Sequence, residues 1–300
     1  MRDFASARQR AIELARSERL LCIVGPTASG KTELALEVSE AVGGEIISAD
    51  SVQIYRGFDI GSGKPNAEET ARARHHLIDT HDPLEAIDAA GWAKLADHAI
   101  ADIRARGKIP IVCGGTFFWV RALVLGLVEA PAADPAIRER HRAIVAAGSR
   151  LTLHDELARI DPDSAKRLHP NDLVRVSRAL EVYELSGRTM SEWHAEHGFK
   201  GKRLDAVMIA REHDAATLTT RIAARVDGWL KGQWLDEVRA LLAAGHGEAR
   251  AMRSVGYAEV HAHLEGRLSR DELAETIVRA TRVFARKQRT WLNHAELEWL

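Results

Sequence analysis

The segment LLCIVGPTASGKT, which runs from Leu20 to Thr32, decides the fold class of this chain. It begins with an apolar run of strand length and ends in the phosphate-binding pattern GxxxxGKT. In such a loop the backbone N–H groups point at phosphate oxygens, the lysine adds positive charge, and the threonine hydroxyl can bind Mg²⁺. Apolar residues then recur at helical spacing until Gly43, so the phosphates would lie at a helix N-terminus. The predicted phosphate-binding residues are Gly25, Pro26, Thr27, Ala28, Ser29, Gly30, Lys31 and Thr32, and Thr32 is the predicted Mg²⁺ ligand.

The composition is that of an ordinary globular protein. The 300 residues suffice for one large domain or two modest ones, and 46% of them are hydrophobic. The formal net charge of −1 gives no overall attraction to nucleic acid, so such a partner would be bound by a local basic patch. Cys22 and Cys113 each lie in an apolar run, which favours buried thiols in a reducing compartment over a disulfide.

The chain shows no sign of a membrane or export segment. No apolar stretch approaches the length of a membrane span, so we expect no membrane partner. Residues 1–19 are rich in arginine but contain three acidic residues and lack an apolar signal core. We therefore predict a solvated helix that leads into the first strand, and a cytoplasmic protein.

Strand-like runs alternate with helical patterns in this chain. The runs are Leu20–Val24, Glu45–Ser48, Ile109–Cys113 and Ala206–Ile209. This alternation indicates βαβ units and a parallel sheet covered on both faces. Ligands bind such sheets at the carboxyl ends of the strands. We therefore expect three polar loops to meet at one sheet edge, namely the phosphate loop, residues 50–53 and residues 114–116.

The pattern of the chain changes after residue 130. Pro131 and Pro135 mark a connection, short helical segments follow to about His197, and the chain after Asp214 is predicted to be helical. The predicted fold is therefore α/β, with a P-loop parallel-sheet core and a helical C-terminal segment in residues 1–130 and 200–300. Residues 131–199 form a predicted helical insertion domain.

Asp50 directly follows the second strand-like run and leaves two interpretations open. In many phosphate-loop enzymes an acidic residue at a strand end helps to hold Mg²⁺. Alternatively, Asp50 is a general base, which must lie within hydrogen-bond reach of the proton it removes. His75 and His76 have no second ligand cluster at a matching spacing, so structural or substrate-positioning roles are expected for them.

Residues 50–65, DSVQIYRGFDIGSGKP, resemble the long signature of the tRNA dimethylallyltransferases, also called tRNA isopentenyltransferases. Six further motifs match that family in order and at sensible spacing. They are the phosphate loop at 25–32, HHLID at 75–79, GGT at 114–116, RVSRALE at 175–181, VGY at 255–257 and RKQRTWL at 286–292. A lone phosphate loop is common to many folds, whereas this ordered set is specific.

The resemblance implies transfer of a dimethylallyl group from dimethylallyl diphosphate to the exocyclic amine of the adenosine on the 3′ side of a tRNA anticodon. That amine is a weak nucleophile because its lone pair is delocalised into the ring, and Asp50 would accept its proton as the C–N bond forms. The phosphate loop, with Lys31 and Thr32-bound Mg²⁺, would stabilise the charge on the departing diphosphate. Thr116 would orient the adenosine beside Asp50, while a helix cap is its simpler alternative role.

Recognition of tRNA requires a loop base to be splayed out and held in a pocket. By resemblance, the helical insertion and the C-terminal helix would bind the anticodon stem-loop, although exposed arginines are common on solvated helices. The predicted RNA contacts are Asp50, Ser51, Val52, Gln53, Thr116, Arg138, Val174, Arg175, Val176, Ser177, Arg178, Ser254, Val255, Gly256, Tyr257, Arg286, Lys287, Gln288, Arg289 and Trp291.

The C-terminal helix adds an argument from spacing. Four arginines fall on one helical face, and no acidic residue occurs from 281 to 293. A solvated face usually interleaves acidic residues, so this stripe favours contact with a phosphate backbone. The stripe consists of Arg279, Arg282, Arg286 and Arg289, and the predicted neighbouring apolar face consists of Ile277, Ala280, Phe284 and Trp291.

Three positions depart from the family pattern. Trp119 replaces a usual tyrosine after the GGT motif, Gln233 replaces a usual glycine, and Ala258 replaces a frequent arginine after VGY. These differences bear on the shape of the prenyl channel and on the strength of RNA contact. Arg221 and Arg225 lie one helical turn apart and could reach a diphosphate, but such pairs are commonplace.

Other functions use some of the same features. A small-molecule kinase would use the same loop, turn over ATP and have no need for the basic C-terminal helix. A prenyltransferase for free adenine nucleotides would not need the RNA-binding segments, and a nucleotide-switched RNA-binding protein would not need Asp50. We rank tRNA prenyl transfer by a monomer ahead of these alternatives.

Overall fold

The computed structural model describes residues 4–148, 150–197, 203–293 and 295–300. The strands are β1 Leu20–Val24, β2 Gly44–Ser48, β3 His75–His76, β4 Ile109–Gly114, β5 Ala206–Ala210 and β6 Glu298–Trp299. The helices are α1 Phe4–Ala15, α2 Lys31–Val42, α3 Ala67–Arg72, α4 Ala89–Ala105, α5 Phe117–Leu125, α6 Pro135–Ala147, α7 Arg150–Ile160, α8 Pro162–Arg167, α9 Leu173–Ser186, α10 Met190–His197, α11 Ala215–Lys231, α12 Trp234–Ala243, α13 Tyr257–Leu264 and α14 Arg270–Asn293, with a 3₁₀ turn at Arg250–Arg253.

The strands form a parallel sheet in the order β3-β2-β4-β1-β5-β6. The predicted α/β fold with a parallel-sheet core is therefore confirmed. All five residues of β1 are buried, as expected for a central strand with both faces covered. Because Val24 of β1 is in register with Gly114 of β4, the loops after these strands begin side by side. This register explains why the polar loops meet at one edge of the sheet, as predicted.

Two short strands were not predicted, and one corrects an expectation. The chain after Asp214 is not wholly helical, because β6 pairs with β5 at the sheet edge. The backbone of Leu300 bonds to Ala210 and Glu212, and its side chain is buried. The strand β3 pairs with β2 through His75 and His76. Strands of two residues are too short to show an alternation of apolar and polar residues.

The expectation of a solvated N-terminal helix is wrong for the described part of α1. Ala7, Ala11 and Leu14 are buried in the same core cluster as Leu34 of α2. Their spacing forms a narrow stripe, and its alanines carry a weak hydrophobic signal in the sequence. Arg10 on the outer side donates to the Glu298 carboxylate of β6 over 2.9 Å. Residues 1–3 of this prediction lie outside the described residues.

The chain divides into two compact units. The first, Met1–Val124 with Arg203–Leu300, contains the sheet, and the second, Leu125–Lys202, contains α6 to α10. The second unit has its own core, which includes Leu153, Leu157 and Leu180. Residues 131–197 of the predicted insertion fall within it, and the predicted end at residue 199 lies outside the described residues. None of the described helices combines the length and apolar character that a membrane span requires.

We predict opposite effects for alanine at two glycines. A Cβ at Gly114 would lie 2.2 Å from the Ala49 carbonyl oxygen, so Gly114→Ala must push apart the loops after β2 and β4. The expected loss is about 1–3 kcal/mol of unfolding free energy, as for an overpacked site. At Gly228, within α11, an added Cβ would meet no described atom within 4 Å beyond its chain neighbours and the backbone of its own helix, so Gly228→Ala should stabilise by about 0.4–1 kcal/mol. Urea unfolding followed by circular dichroism measures both, and equal effects would contradict the close approach at Gly114.

Candidate active site

The phosphate loop joins β1 to α2 and leaves the start of that helix open. Gly30 precedes the helix with φ of 76° and no side-chain cap. The first N–H groups of a helix have no acceptor within it, so they are available to an anion. Ala28 also has a positive φ of 64°, which is uncommon for alanine and found mainly where a loop shape is imposed by its surroundings. The local geometry is therefore that of a backbone anion site.

Lys31 supplies positive charge at this site. Among the described residues its Nζ has one weak partner, the Pro26 carbonyl oxygen at 3.4 Å. Burial lowers the pKa of Lys31, while the nearby Asp50 carboxylate raises it and Arg225 lowers it further. A partly buried ammonium group is unfavourable when few hydrogen bonds replace its lost hydration, so a bound anion would stabilise it. The burial of Cys113 itself raises its pKa to about 11, so that thiol is neutral at physiological pH.

Two arginines of α11 border the phosphate loop. Arg225 donates to the Thr27 hydroxyl over 3.4 Å and lies 4.3 Å from the centre of the Trp229 ring. Arg221 approaches the Ala28 carbonyl oxygen at 3.5 Å. Burial lowers the pKa of Arg225, against the opposing charges of Asp50 and Glu69. In the sequence this pair is marked only by its one-turn spacing after the last long strand, and such spacing of arginines is commonplace.

Asp50 and Thr116 stand on neighbouring loops that are bonded to each other. The Ser51 N–H donates to the Thr116 hydroxyl oxygen over 3.0 Å, and the Thr116 N–H donates to the Ala49 carbonyl over 3.0 Å. The Asp50 Oδ1 accepts from the N–H groups of Val52 and Gln53 at 2.9 and 3.3 Å. No described residue donates to its Oδ2. One carboxylate oxygen thus fixes the turn, and the other remains open to a substrate.

Two glutamines predicted as RNA contacts hold loops together in this structure. The Gln53 amide accepts from Ser48 Oγ at 2.9 Å and donates to the Gly63 carbonyl at 2.9 Å. Gln288 of α14 accepts from the Thr27 N–H at 3.0 Å and donates to the Gly115 carbonyl at 2.9 Å. Gln288 therefore joins the phosphate loop to the loop that carries Thr116. Neither pair of contacts could be read from the sequence.

These loops enclose one cavity of about 370 Å³. It contains both the phosphate-loop lysine and the open carboxylate oxygen, with aromatic and aliphatic side chains of α11, α12 and α14 on its other walls. The predicted site residues that line it are Thr27, Lys31, Thr32, Asp50, Ser51, Val52, Gln53, Thr116, Ser254, Val255, Gly256 and Gln288. The structure thus brings the predicted catalytic and phosphate-binding residues together with predicted RNA contacts from distant parts of the chain.

The tryptophan Trp234 shapes one wall of this cavity. A Cβ at Gly61 would lie 2.3 Å from its Nε1, and a Cβ at Gly256 would lie 2.7 Å from its ring. Tyr257, a predicted RNA contact, is fully buried beside it and donates to the Glu237 carboxylate over 2.6 Å. Burial and the Glu237 charge raise the pKa of Tyr257. Gly256 and Tyr257 therefore shape and support the wall.

The described residues contain no cluster of three or more His, Cys, Asp or Glu side chains that could hold a metal ion. His76 instead bonds to the Glu45 carboxylate over 2.6 Å. Mg²⁺ often binds through few protein groups and keeps waters and substrate phosphates as ligands. The exposed Thr32 hydroxyl at the open helix start fits that mode of binding.

Comparison with known proteins identifies the family. The model of the family described as "IPP transferase" matches residues 53–295. The chain belongs to the IPP transferase family. The match begins after the phosphate loop and Asp50, so it does not bear on those residues.

Relatives in this family cover almost the whole chain. A tRNA dimethylallyltransferase of Sorangium cellulosum is 65% identical, over 91% of this chain and 87% of its own length. A crystal structure of a tRNA isopentenylpyrophosphate transferase from Bacillus halodurans superimposes with a TM-score of 0.69 at 35% identity, covering 95% of this chain and 90% of that one. A eukaryotic dimethylallyltransferase, described as acting on tRNA, gives a TM-score of 0.79 at 27% identity, covering 92% of this chain and 70% of that one.

The basic stripe of this IPP transferase family member lies on the outer surface of α14. Arg279, Arg282, Arg286, Lys287 and Arg289 form no ion pair with a described residue. The predicted apolar face is correct at Ile277 and needs correction elsewhere, because the buried stripe is Leu273, Ile277, Ala285 and Leu292. Phe284 and Trp291 are instead 43% and 48% exposed. They lie seven and fourteen residues after the buried Ile277 and so share its helical face, and Phe284 lines the cavity.

The predicted RNA contacts of the helical unit have varied surroundings. Glu181, which is fully buried, accepts from Arg138 Nε at 2.9 Å and from Arg178 Nη1 at 2.7 Å. Burial acts to raise the pKa of Glu181, but the bonds from the two arginines outweigh it and hold that pKa below its ordinary value. Arg175 pairs with Asp172, Ser177 bonds to His141, Val176 is in the core and Val174 is 81% exposed.

We predict that Arg138 stabilises the helical unit. Arg138→Ala leaves the buried Glu181 carboxylate with one guanidinium partner and should cost about 1–3 kcal/mol of unfolding free energy. Arg142→Ala is the matched control, because Arg142 is 68% exposed and pairs with an exposed Glu139. It should change stability by less than about 0.5 kcal/mol. Equal urea midpoints for the two variants would contradict a structural role for Arg138.

Proposed function

We propose that this chain transfers a dimethylallyl group from dimethylallyl diphosphate to the exocyclic amine of the adenosine 3′ of the anticodon in tRNA and releases diphosphate. Family membership and the activities of the relatives on tRNA support the reaction and its RNA substrate. The observation that carries the proposal is a single cavity with an anion site at Lys31 and an open carboxylate oxygen at Asp50. Prenyl transfer from a diphosphate to an amine needs both.

Asp50 is assigned as the general base. Its Oδ1 is held by two backbone N–H groups, so its Oδ2 has a defined direction in which to accept the amine proton. Thr116 is assigned to orientation, because its hydroxyl oxygen accepts from the Ser51 N–H next to Asp50. The proton leaves nitrogen as the C–N bond forms, and the bond between carbon and the diphosphate oxygen breaks.

The phosphate loop is assigned to the diphosphate. The open N–H groups of α2 and the Lys31 ammonium stabilise the charge that develops on the leaving group. We add Arg225, whose guanidinium group donates to the Thr27 hydroxyl of the same loop. Its positive charge is only partly offset by the nearby Asp50 and Glu69. Thr32 would hold Mg²⁺ together with diphosphate oxygens and water. When bound, that ion supplies further charge neutralisation on the diphosphate.

The assembly and location follow from the proposed substrates. We propose a monomer, because every group assigned to the reaction comes from this one chain and lines one cavity of its first unit. We place the reaction in the cytoplasm because tRNA is its substrate. A kinase would use the same loop for ATP, but it would leave the unpaired basic surface of α14 without a role.

The proposal predicts that tRNA incubated with the protein, dimethylallyl diphosphate and Mg²⁺ gains the mass of one dimethylallyl group at that adenosine. Asp50→Asn should lower kcat by on the order of 10²–10⁴-fold and leave tRNA affinity nearly unchanged. Asparagine keeps the oxygen that accepts from Val52 and Gln53, so the turn is retained while the base is lost. Mass spectrometry of digested tRNA and filter binding give the two measurements.

The alternatives make different predictions in the same assay. Near wild-type turnover by the Asp50→Asn variant would remove Asp50 from the mechanism. Modification of AMP but not tRNA would favour a free-nucleotide prenyltransferase. Protection against thermal unfolding by ATP, and not by dimethylallyl diphosphate, would favour a kinase.

The basic surface of α14 gives a prediction for tRNA binding. Alanine at Arg282, Arg286 and Arg289 should raise the KM for tRNA and flatten its salt dependence, because each lost phosphate contact lowers the slope of log affinity against log salt by roughly 0.7–0.9. The KM for dimethylallyl diphosphate should hardly change, since these side chains do not line the cavity.

Arg239→Ala and Arg267→Ala are suitable controls. Both arginines are exposed, but each already pairs with an acidic neighbour, so their loss should leave the salt slope unchanged. An unchanged slope in the α14 variant, with normal folding, would mean that this surface is only solvated. The RNA contacts would then have to lie in the helical unit.

A further inference from the structure

Apolar side chains gather on one side of the active-site cavity. On α11, Ile222, Val226 and Trp229 line the cavity at intervals of four and three residues, so they share one helical face. The helices α12 and α14 add Trp234 and Ile277, while the loops after β2 and β4 contribute mainly polar groups. A hydrocarbon group in this cavity is therefore bound most favourably against the wall formed by the three helices.

This apolar wall begins at the phosphate end of the cavity. Arg225 donates to the Thr27 hydroxyl of the phosphate loop over 3.4 Å, and its guanidinium carbon lies 4.3 Å from the centre of the Trp229 ring. The Trp229 and Trp234 ring centres are 5.3 Å apart. From the phosphate loop, the contacts thus run from Arg225 to Trp229 and then to Trp234. A carbon chain that extends along this wall from a diphosphate at Arg225 meets the two rings.

The Trp234 ring has no room to move aside for a longer chain. It is fully buried, and a Cβ at Gly61 or at Gly256 would lie 2.3 or 2.7 Å from its atoms. The rings of Trp229 and Tyr257 meet it edge to face, at interplanar angles of 74° and 85°. Its Nε1 has no hydrogen-bond partner among the described residues, so close packing fixes the ring.

A carboxylate of the same helix holds the surroundings of Trp234 in place. Glu237 accepts from the Ile60 N–H and from the Tyr257 hydroxyl, each over 2.6 Å. Ile60 and Tyr257 are the chain neighbours of the two glycines that contact the ring. Because Glu237 lies one turn after Trp234 on α12, the ring and the two segments beside it are tied to one helix. The wall at Trp234 is therefore rigid.

We infer that Trp229 and Trp234 limit the donor to one isoprene unit, so that dimethylallyl diphosphate is accepted and geranyl diphosphate, which has two, is excluded. The inference rests on the proposed function and concerns only the donor. With the diphosphate at the phosphate loop, the methyl groups of a dimethylallyl chain reach the two rings. A second isoprene unit on that chain needs the space that Trp234 fills. The two tryptophans thus determine donor size and are not catalytic residues.

A comparison of two donors tests this inference. The kcat/KM for prenyl transfer to anticodon stem-loop RNA is measured with dimethylallyl and with geranyl diphosphate, for the wild type, Trp234→Leu and Trp229→Leu. The wild type should discriminate against the geranyl donor. Each leucine variant should lower the ratio of the two kcat/KM values by on the order of ten-fold or more, as expected when space is added to an apolar pocket. Because both donors carry the same diphosphate, loss of the contact between Arg225 and Trp229 affects both and cancels in the ratio.

Trp193→Leu and Phe284→Leu are the matched controls. Trp193 is a tryptophan that does not line the cavity, whereas Phe284 lines it from α14 and is 43% exposed. Both variants should leave the ratio nearly unchanged, because neither opens the space that Trp229 and Trp234 fill. An equal fall for Phe284→Leu would mean that the total cavity volume sets donor size, and it would overturn the inference.

Folding and donor binding are measured separately. Trp234→Leu removes a fully buried ring and risks misfolding, so circular dichroism is recorded for each variant, and Trp229→Leu at a half-buried position gives the second test. Calorimetry gives Kd for each donor in the absence of RNA, and the ratio of the two Kd values should change in the same direction as the kinetic ratio.

Two results would overturn the inference, namely equal use of both donors by the wild type and an unchanged ratio in the folded Trp229→Leu variant. If the wild type prenylates tRNA and the ratio does not change, the inference fails while the proposed function stands. If the wild type binds dimethylallyl diphosphate in preference to geranyl diphosphate but modifies no tRNA, the proposed function fails while the Kd ratios of the leucine variants still decide the role of the two rings.

Discussion

Positive charge without a fixed counter-ion at the phosphate loop is the constraint on which the rest of the active site depends. Neither Lys31 nor Arg225 forms an ion pair with a described residue, and burial lowers the pKa of both. The loop between them is held by neutral groups instead, including the bond of 2.6 Å between His213 Nε2 and the Ser29 carbonyl. A built-in carboxylate partner would stabilise the free protein but would compete with an anionic ligand. The arrangement therefore leaves this positive charge available to an anion that binds the loop.

Helix α14 has two roles on its inner side and a third on its outer side. Its buried stripe of Leu273, Ile277, Ala285 and Leu292 packs against the core, while Gln288 bonds to two active-site loops. Its outer side carries basic residues that form no ion pair within the described part of the chain. Because one rigid element has all three roles, the position of the basic surface is tied to the geometry of the phosphate loop and of Thr116. An RNA bound to that surface is thereby placed in register with the catalytic groups.

The main sheet could be predicted from sequence because its buried strands are continuous apolar runs, as in Leu20–Val24. The two-residue strands could not, since their pairing depends on neighbours far along the chain. The convergence of Lys31, Asp50 and Thr116 was predictable from the edge rule for parallel sheets. The roles of Gln53 and Gln288 as loop anchors were not, because a side-chain amide shows no sequence pattern that reveals its partner. The contact of Arg225 with Thr27 likewise depends on a loop that only the fold brings near it, whereas its contact with Trp229 is between neighbours one turn apart on α11.

The buried Glu181 fixes the positions of two arginine side chains in the helical unit. Arg138 uses Nε and Nη2 to bind this buried carboxylate, and Arg178 uses Nη1 for it and Nη2 for the Pro131 carbonyl. Both guanidinium groups have therefore lost their rotational freedom during folding. The hydrogen bonds within the unit offset this loss of side-chain entropy. A phosphate that binds the remaining Nη1 of Arg138 would order no further side chain. The buried Glu181 thus holds two otherwise flexible arginine side chains in fixed positions, so that their surface charge is preorganised for an anion.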